Sequence, residues 1–360
     1  MKLKLMIFYL LLLFLFAFSA NAGEWNYSLD GQIQGLYGYS STGRHNNGVG
    51  RTYIESSASY LFDNDDVFSL NFNLMGAINQ EIQDYNQGRW GEEVYIAYDS
   101  LYGQLMLGQV FNVASLFHNG ISFVGAINSY NDVADFIVNP NWRRTAKDTE
   151  FATLNATDIN TDGVAAKINY ITPEFYGTAF GFSYIPNSYN RRGLINKHAE
   201  YAHDDGFVGA VYNDYDWGFF STQASFGYAQ YHGNDKEFSY SLNIKRGNWN
   251  IGGGFRKTYI DGDNKIKNLH SLPEGFDDYR EGFAWNIGIG YEIGPFSSSL
   301  SYFESKASDS NNDSNIFVFS NEYQINKNID FYFAVAHVDF TDFENTDKGY
   351  TFVTGLGVSF

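Results

Sequence analysis

The sequence has 360 residues, and its 23 basic and 41 acidic side chains give a formal net charge of −18, which argues against nucleic acid as a partner. It contains no cysteine, so disulfides and thiol redox chemistry are excluded, and no motif predicts a metal site or a cofactor. Aromatic residues make up 19% of the chain, which also has 36 Gly and 5 Pro, a composition typical of β-strands.

Residues 1–22 have the features of a cleaved signal peptide. Two lysines precede an apolar run over residues 5–18, and the run ends in Ala-Asn-Ala at 20–22, the small-residue pattern that signal peptidase reads. We therefore expect the mature protein to begin at Gly23 and to carry a net charge of −20, because both lost charges are lysines. A membrane-anchoring helix is the alternative, which the short apolar run disfavours.

From Trp25 onward, apolar and aromatic residues alternate with polar ones at a period of two. In the last segment Tyr350, Phe352 and Phe360 share one face, and small or polar residues share the other. Sixteen such segments are predicted, at residues 27–39, 51–62, 67–79, 92–100, 103–110, 163–172, 175–185, 207–214, 217–231, 236–246, 248–260, 281–292, 295–306, 314–324, 328–340 and 348–360. Segments of about 10 residues match strands that cross a membrane. The even number predicts an all-β fold, a transmembrane antiparallel β-barrel of 16 strands.

The connections between the predicted strands alternate in length. Those at 63–66, 101–102, 173–174, 215–216, 247, 293–294 and 325–327 are short, and those at 40–50, 80–91, 111–162, 186–206, 261–280, 307–313 and 341–347 are longer and polar. Short periplasmic turns and long external loops are typical of outer-membrane barrels, so we expect an outer-membrane location with both termini on the periplasmic side. Closure of the barrel removes unpaired strand edges, which hydrocarbon does not tolerate.

Three stretches resemble the general bacterial porin family of sixteen-stranded trimers. The terminal segment ending in Phe360 is similar to the carboxyl-terminal aromatic signature that the barrel-assembly machinery recognises. The stretch AKINYITPEFYGTAFGFSY, which ends at Tyr184, resembles the family pattern of tyrosine, proline, phenylalanine and glycine before a strand. The stretch EVYIAYDSLYGQLMLGQVFN, which begins at Glu93, is similar to the two strands that lead into the family's constriction loop.

This resemblance implies a homotrimer through which small hydrophilic solutes diffuse passively. It also implies a third external loop that folds inward and narrows the pore, and this loop falls within 111–162, the longest connection. The implied partners are outer-membrane lipid and lipopolysaccharide, the barrel-assembly machinery and small solutes. Residues 23–360 then form one porin domain that is not an enzyme.

Strand alternation also predicts which side chains face the lumen. The candidates for the pore lining and constriction are Arg51, Glu55, Glu93, Lys167, Lys245 and Arg256 on the wall, and Asp132 and Asp135 on the inward loop. At Glu93 and Gln109 the family often carries arginine, so these positions favour a weak to moderate cation preference. Reversing the charge of Glu93 is predicted to shift the preference toward anions, and reversing a loop acid such as Asp309 to do little.

Two alternatives belong to other classes of function. A substrate-specific channel would use aromatic residues in the lumen, for which Phe111, Phe117, Phe123, Tyr130 and Phe136 of the inward loop are candidates, although these residues equally suit packing against the wall. An outer-membrane enzyme would need a catalytic cluster, and the run His203-Asp204-Asp205 is the nearest approach to one. Isolated loop His and Asp residues are more often solvated.

Overall fold

The computed structural model describes residues 24–41, 46–79, 89–121, 124, 133, 136, 154, 156–187, 204–231, 235–259, 281–308, 313–341 and 346–360. Its strands are β1 (Glu24–Ser40), β2 (Asn46–Leu61), β3 (Val67–Asn79), β4 (Arg89–Ser100), β5 (Gly103–Gln109), β6 (Ala166–Ile171), β7 (Thr178–Asn187), β8 (Asp204–Asp216), β9 (Ser221–Gln230), β10 (Lys236–Arg246), β11 (Trp249–Tyr259), β12 (Gly282–Ile293), β13 (Phe296–Ala307), β14 (Asp313–Asn326), β15 (Ile329–Thr341) and β16 (Thr346–Ser359). Each pairs with its neighbours in the chain, and β1 pairs with β16, so the sixteen-stranded barrel is confirmed. Within the described ranges no helix is long and apolar enough to span a membrane.

The predicted strand bounds agree with the structure at some strands and differ at others. The segments predicted at 67–79 and 236–246 coincide with β3 and β10. The segment predicted from residue 217 starts too early, because β9 begins at Ser221. Gly218 has a φ of 87°, which favours glycine, and the Trp217 amide donates to the Phe220 oxygen at 2.9 Å, so these residues form a turn. Alternating aromatic residues therefore mimic a strand at this short connection.

The two faces of the barrel wall differ in chemistry. The outward face carries large exposed apolar side chains, among them Phe180, Phe182, Phe226, Tyr240, Ile287, Phe331 and Leu356. The inward face is rich in serine, asparagine, glutamine, glycine and charged residues, and the register places Arg51 opposite Gln34 and Glu55 opposite Asn73 on this face. A barrel with lipid outside and water inside has this pattern.

The last residue closes the seam between β1 and β16. The Gly31 amide donates to the Phe360 oxygen at 3.1 Å, and the Phe360 amide donates to the Gly31 oxygen at 3.0 Å. The Phe360 ring also lies close over Gly31, where an added Cβ would be 2.5 Å from the ring atom Cζ. Phe360 therefore fits the seam because residue 31 has no side chain.

Candidate pore constriction

The connection between β5 and β6, residues 110–165, is called the constriction loop, and its described residues contact the inward face of the barrel wall. It starts with a short helix, α1 (Val113–Leu116), that packs on β6–β9. Farther along, the Asn119 amide donates to Ser241 Oγ at 2.9 Å, and Asn243 Nδ2 donates to the Gly120 oxygen at 3.0 Å. These partners belong to the inward faces of a closed barrel, so the inward fold of this third long loop is confirmed.

The constriction loop also reaches the opposite side of the wall. Val133, Phe136 and Leu154 are buried in one apolar cluster with the inward side chains of β13–β16 and with Leu36 of β1. Phe136 fits against Gly38, where an added Cβ would overlap its ring. The inward-facing apolar residues of this region are thus covered by the loop.

Glycines on the inward face make room for the constriction loop. A Cβ added at Gly181 would lie 2.7 Å from Val113 Cβ, and one added at Gly227 would lie 2.6 Å from Ala114 Cβ. Carbon atoms in contact are about 3.5–4.0 Å apart, so neither site accepts a side chain without moving α1. Glycine at these two wall positions therefore leaves the space that α1 occupies.

Asn112 fixes the start of α1. Its Oδ1 accepts from the amides of Ala114 and Ser115 at 2.9 and 3.0 Å, which satisfies two N–H groups that the helix leaves unpaired. Its Nδ2 donates to the Ile159 oxygen at 2.8 Å and to Asp162 Oδ1 at 2.6 Å. One buried side chain thus joins the first and last parts of the loop.

Lys167 points inward, as the alternation predicts, but it does not line the open pore. Its side chain is 0% exposed, and its Nζ lies 2.5 Å from Asp162 Oδ2. The same Nζ donates to the oxygens of Val110 and Gly163, each at 2.6 Å. The prediction of a pore-lining lysine is corrected, because the loop covers this part of the wall.

Arg256 is covered in the same way. Its Nε donates to Glu237 Oε2 at 2.9 Å, while its two terminal nitrogens donate to Asn160 Oδ1 at 2.6 Å and to Thr161 Oγ1 at 2.7 Å. The guanidinium therefore ties the end of the constriction loop to β10 and β11 and is neutralised by Glu237. This residue too was predicted to line the pore, and it instead anchors the loop.

Glu93 is 7% exposed and also supports the loop. Its Oε2 accepts from Asn73 Nδ2 at 2.7 Å, and its Oε1 accepts from the Phe111 amide at 3.1 Å. Gln109, the other position where the family often has arginine, pairs with outward-facing Val94 and Ala166. The structure thus places neither side chain in open water of the lumen.

The remaining predicted residues are dispersed. Arg51 and Glu55 are partly exposed on the inward face of β2, and Glu55 faces Asp30 across the strand pair. Lys245 is exposed beside the turn at Gly247, on the inward register opposite Asn250. Asp132 and Asp135 lie outside the described residues.

Acidic side chains outnumber basic ones among the exposed inward side chains of the described strands. Among the described residues, eight acids point inward and are at least partly exposed, namely Glu24, Asp30, Glu55, Asp99, Asp214, Asp216, Glu292 and Glu322. Two basic side chains are likewise at least partly exposed on the inward face, Arg51 and Lys245. Eight acids against two bases give these exposed inward side chains of the described strands a net charge of −6.

Two titratable groups at the loop have shifted pKa values. Burial lowers the pKa of His118, an effect that Asp158 opposes and Arg256 strengthens, so the ring stays neutral at pH 7. Its Nε2 lies 2.9 Å from Thr157 Oγ1. Burial and then the Asp162 carboxylate raise the pKa of Tyr231 well above its ordinary value, so the hydroxyl keeps its proton and donates to Asp162.

Strand alternation does not identify the groups that hold the buried bases and the loop in place. Asp162, Glu237 and Tyr231 are not among the predicted site residues, although each contacts a loop anchor. The sequence does place Asn112 directly before Val113, which is typical of a residue that caps a helix. The enzyme candidate gains no support, because Asp205 accepts from the Tyr184 hydroxyl at 2.8 Å on the outward face and His203 lies outside the described residues.

Comparisons with known proteins agree with this geometry. A family model described as Gram-negative porin matches residues 10–342. An anion-selective porin from Comamonas acidovorans is 15% identical, covers 94% of this chain and 100% of its own, and has a TM-score of 0.57. OmpF of Salmonella typhi, solved with daunomycin, is 12% identical with 93% and 97% coverage and a TM-score of 0.63. At these identities the solved structures show a shared fold alone. No curated protein sequence matches the chain significantly.

Proposed function

Because the chain belongs to the Gram-negative porin family and folds into an outer-membrane channel, we propose that small hydrophilic solutes and ions diffuse passively through its water-filled lumen. The observation that carries this proposal is the constriction loop, whose described residues pack on inward side chains of β6–β9 and of β13–β16, while inward residues of β2, such as Tyr53 and Glu55, stay partly exposed. Stepwise conductance in planar bilayers tests it. A purified, folded barrel that gives no conductance would contradict it.

The resemblance supports further parts of the proposal. Residues 1–22 are removed on export, and residues 23–360 form a homotrimer in contact with outer-membrane lipid and lipopolysaccharide after delivery by the barrel-assembly machinery. The amino-terminal sequence of the purified protein and its mass in native conditions test cleavage and trimer formation. Membership of the porin family supports a channel over an enzyme.

The substrate-specific alternative loses two of its aromatic candidates. Phe117 is 9% exposed and packs 5.6 Å from the Tyr212 ring, measured between centroids, and Phe136 is 2% exposed against Gly38. Phe111 stays partly exposed, and Phe123 and Tyr130 lie outside the described residues. Aromatic residues that pack against the wall do not form a track for a solute, which favours a general pore.

We further propose a weak to moderate cation preference, supported by the excess of acids among the exposed inward side chains of the described strands. Glu55 is the best single residue to test, since it faces Asp30 on β1 and is not buried by the loop. Glu93→Lys is a poorer test than the sequence suggests, because it would also remove the acceptor of the Phe111 amide and so disturb the start of the constriction loop.

The replacement Glu55→Lys is expected to lower the cation preference, measured as the reversal potential in a salt gradient. The effect should shrink as salt rises, because the Debye length falls from about 10 Å at 0.1 M to about 3 Å at 1 M. Asp63→Lys is the control, since Asp63 is exposed in the turn between β2 and β3 and does not lie on the inward face of a strand. An anion preference in the parent, or an equal response to both replacements, would refute the assignment.

A further inference from the structure

Asp162 is the centre of a buried polar cluster where both ends of the constriction loop meet the wall. Its carboxylate is 0% exposed, and Oδ1 accepts from Asn112 Nδ2 at 2.6 Å and from the Tyr231 hydroxyl at 2.9 Å. Its Oδ2 lies 2.5 Å from Lys167 Nζ. One carboxylate thus joins the start of the loop, the wall at β6 and the connection between β9 and β10.

Lys167 completes the closure of the loop. Besides Asp162, its ammonium group donates to the oxygens of Val110, where the loop leaves β5, and Gly163, where it returns to β6. The ammonium group thus has two backbone acceptors and one carboxylate counter-charge. The lysine therefore fixes the separation of the two ends of the constriction loop.

Tyr231 extends this cluster to a second connection. It follows β9 directly, its hydroxyl binds Asp162, and its amide donates to the Asp235 oxygen at 2.9 Å across the connection between β9 and β10. A change in that connection would therefore move the hydroxyl that donates to Asp162 of the constriction loop.

We propose that Asp162 and Lys167 are positioning residues that set the width of the pore without touching the solute, and that Tyr231 couples the connection between β9 and β10 to that width. The inference rests on the proposed channel function. The two charges neutralise each other and are hidden from the lumen, so they act through the position of the loop and not through the potential in the pore.

Salt dependence separates these two modes of action. A pore-facing charge loses its influence as the Debye length falls from about 10 Å at 0.1 M to about 3 Å at 1 M. A displaced loop changes the cross-section of the pore, so the ratio of variant to parent conductance stays the same at both salt concentrations.

The decisive variant is Tyr231→Phe, which removes one hydroxyl and leaves the ion pair in place. We expect a higher single-channel conductance, a larger size limit for neutral solutes such as polyethylene glycols, and the same conductance ratio at 0.1 M and 1 M salt. Tyr170→Phe is the matched control, because it removes a single hydroxyl bond, to the Tyr102 oxygen at 2.6 Å, on the outside of the barrel. It should conduct like the parent.

A charge series tests the pair itself. Lys167→Met leaves Asp162 buried without a counter-charge and should lower the yield of folded barrel more than the double replacement with Asp162→Asn, which removes both charges. The double variant should conduct more than the parent at both salt concentrations.

Three outcomes would overturn the proposal: parent-like conductance in Tyr231→Phe, a conductance change that vanishes at 1 M salt, or equal yields of the single and double variants. A parent that forms no channel at all would instead refute the proposed function.

Discussion

Deleting Phe360 is expected to lower the amount of folded barrel in the outer membrane by at least about tenfold, because it leaves the N–H and C=O groups of Gly31 without their partners, at about 1–3 kcal/mol each. The deletion also removes the ring that lies over Gly31 at the seam between β1 and β16. The measurement is the heat-modifiable band in electrophoresis of outer-membrane fractions. Export through the inner membrane should be unchanged.

Two substitutions separate the seam from the assembly signal that the resemblance implies. Phe360→Ala keeps both backbone bonds to Gly31 and loses the aromatic ring, whereas Phe360→Tyr keeps the ring as well. If the ring is the signal, the alanine variant should assemble as poorly as the deletion. If assembly depends mainly on the two backbone hydrogen bonds at the seam, the alanine variant should assemble well. Normal assembly of the deletion variant would contradict both roles.

Strand alternation predicts the wall of this protein well because each strand has two chemically different faces. β3 and β10 are found at the predicted residues, and Arg51 and Glu55 lie on the inward register. The error at Trp217 has a physical cause, since aromatic residues suit a membrane interface whether they belong to a strand or to a turn.

Burial of the inward side chains could not be predicted in the same way. Strand alternation assigns Lys167, Arg256 and Glu93 to the inward face, but it does not tell which part of that face the constriction loop covers. That coverage depends on contacts between residues far apart in the chain, such as Asn112 with Asp162 and Arg256 with Asn160. A base on the inward face of a porin strand is therefore as suited to holding the loop as to attracting anions.

Inward-facing glycines are the signal in the sequence that comes closest to the loop path. Gly181, Gly227 and Gly254 lie at positions where the alternation predicts a side chain, and each is in contact with the loop. A strand glycine often marks a close approach of another part of the chain. A larger side chain at one of these positions is therefore expected to displace the loop.

Replacing Gly227 with leucine is expected to push α1 and Ile159 off the wall and into the lumen. The first carbon alone would lie 2.6 Å from Ala114 Cβ and 3.3 Å from Ile159 Cδ1, so α1 has to shift by about 1 Å to restore ordinary contact distances, and the rest of the leucine adds to the shift. Overpacking of this kind costs about 1–3 kcal/mol, which the hydrogen bonds of the barrel wall should withstand.

The expected result of Gly227→Leu is a folded barrel with a lower single-channel conductance and a smaller size limit for neutral solutes, because the displaced helix occupies part of the passage. Gly209→Leu is the matched control. Gly209 lies on the neighbouring strand β8, on the outward face, and nothing is within 4 Å of an added Cβ there. The control should assemble and conduct like the parent. Equal conductance of the two variants would show that α1 does not border the passage, whereas a decrease confined to Gly227→Leu assigns the narrowing to the helix that Asn112 caps.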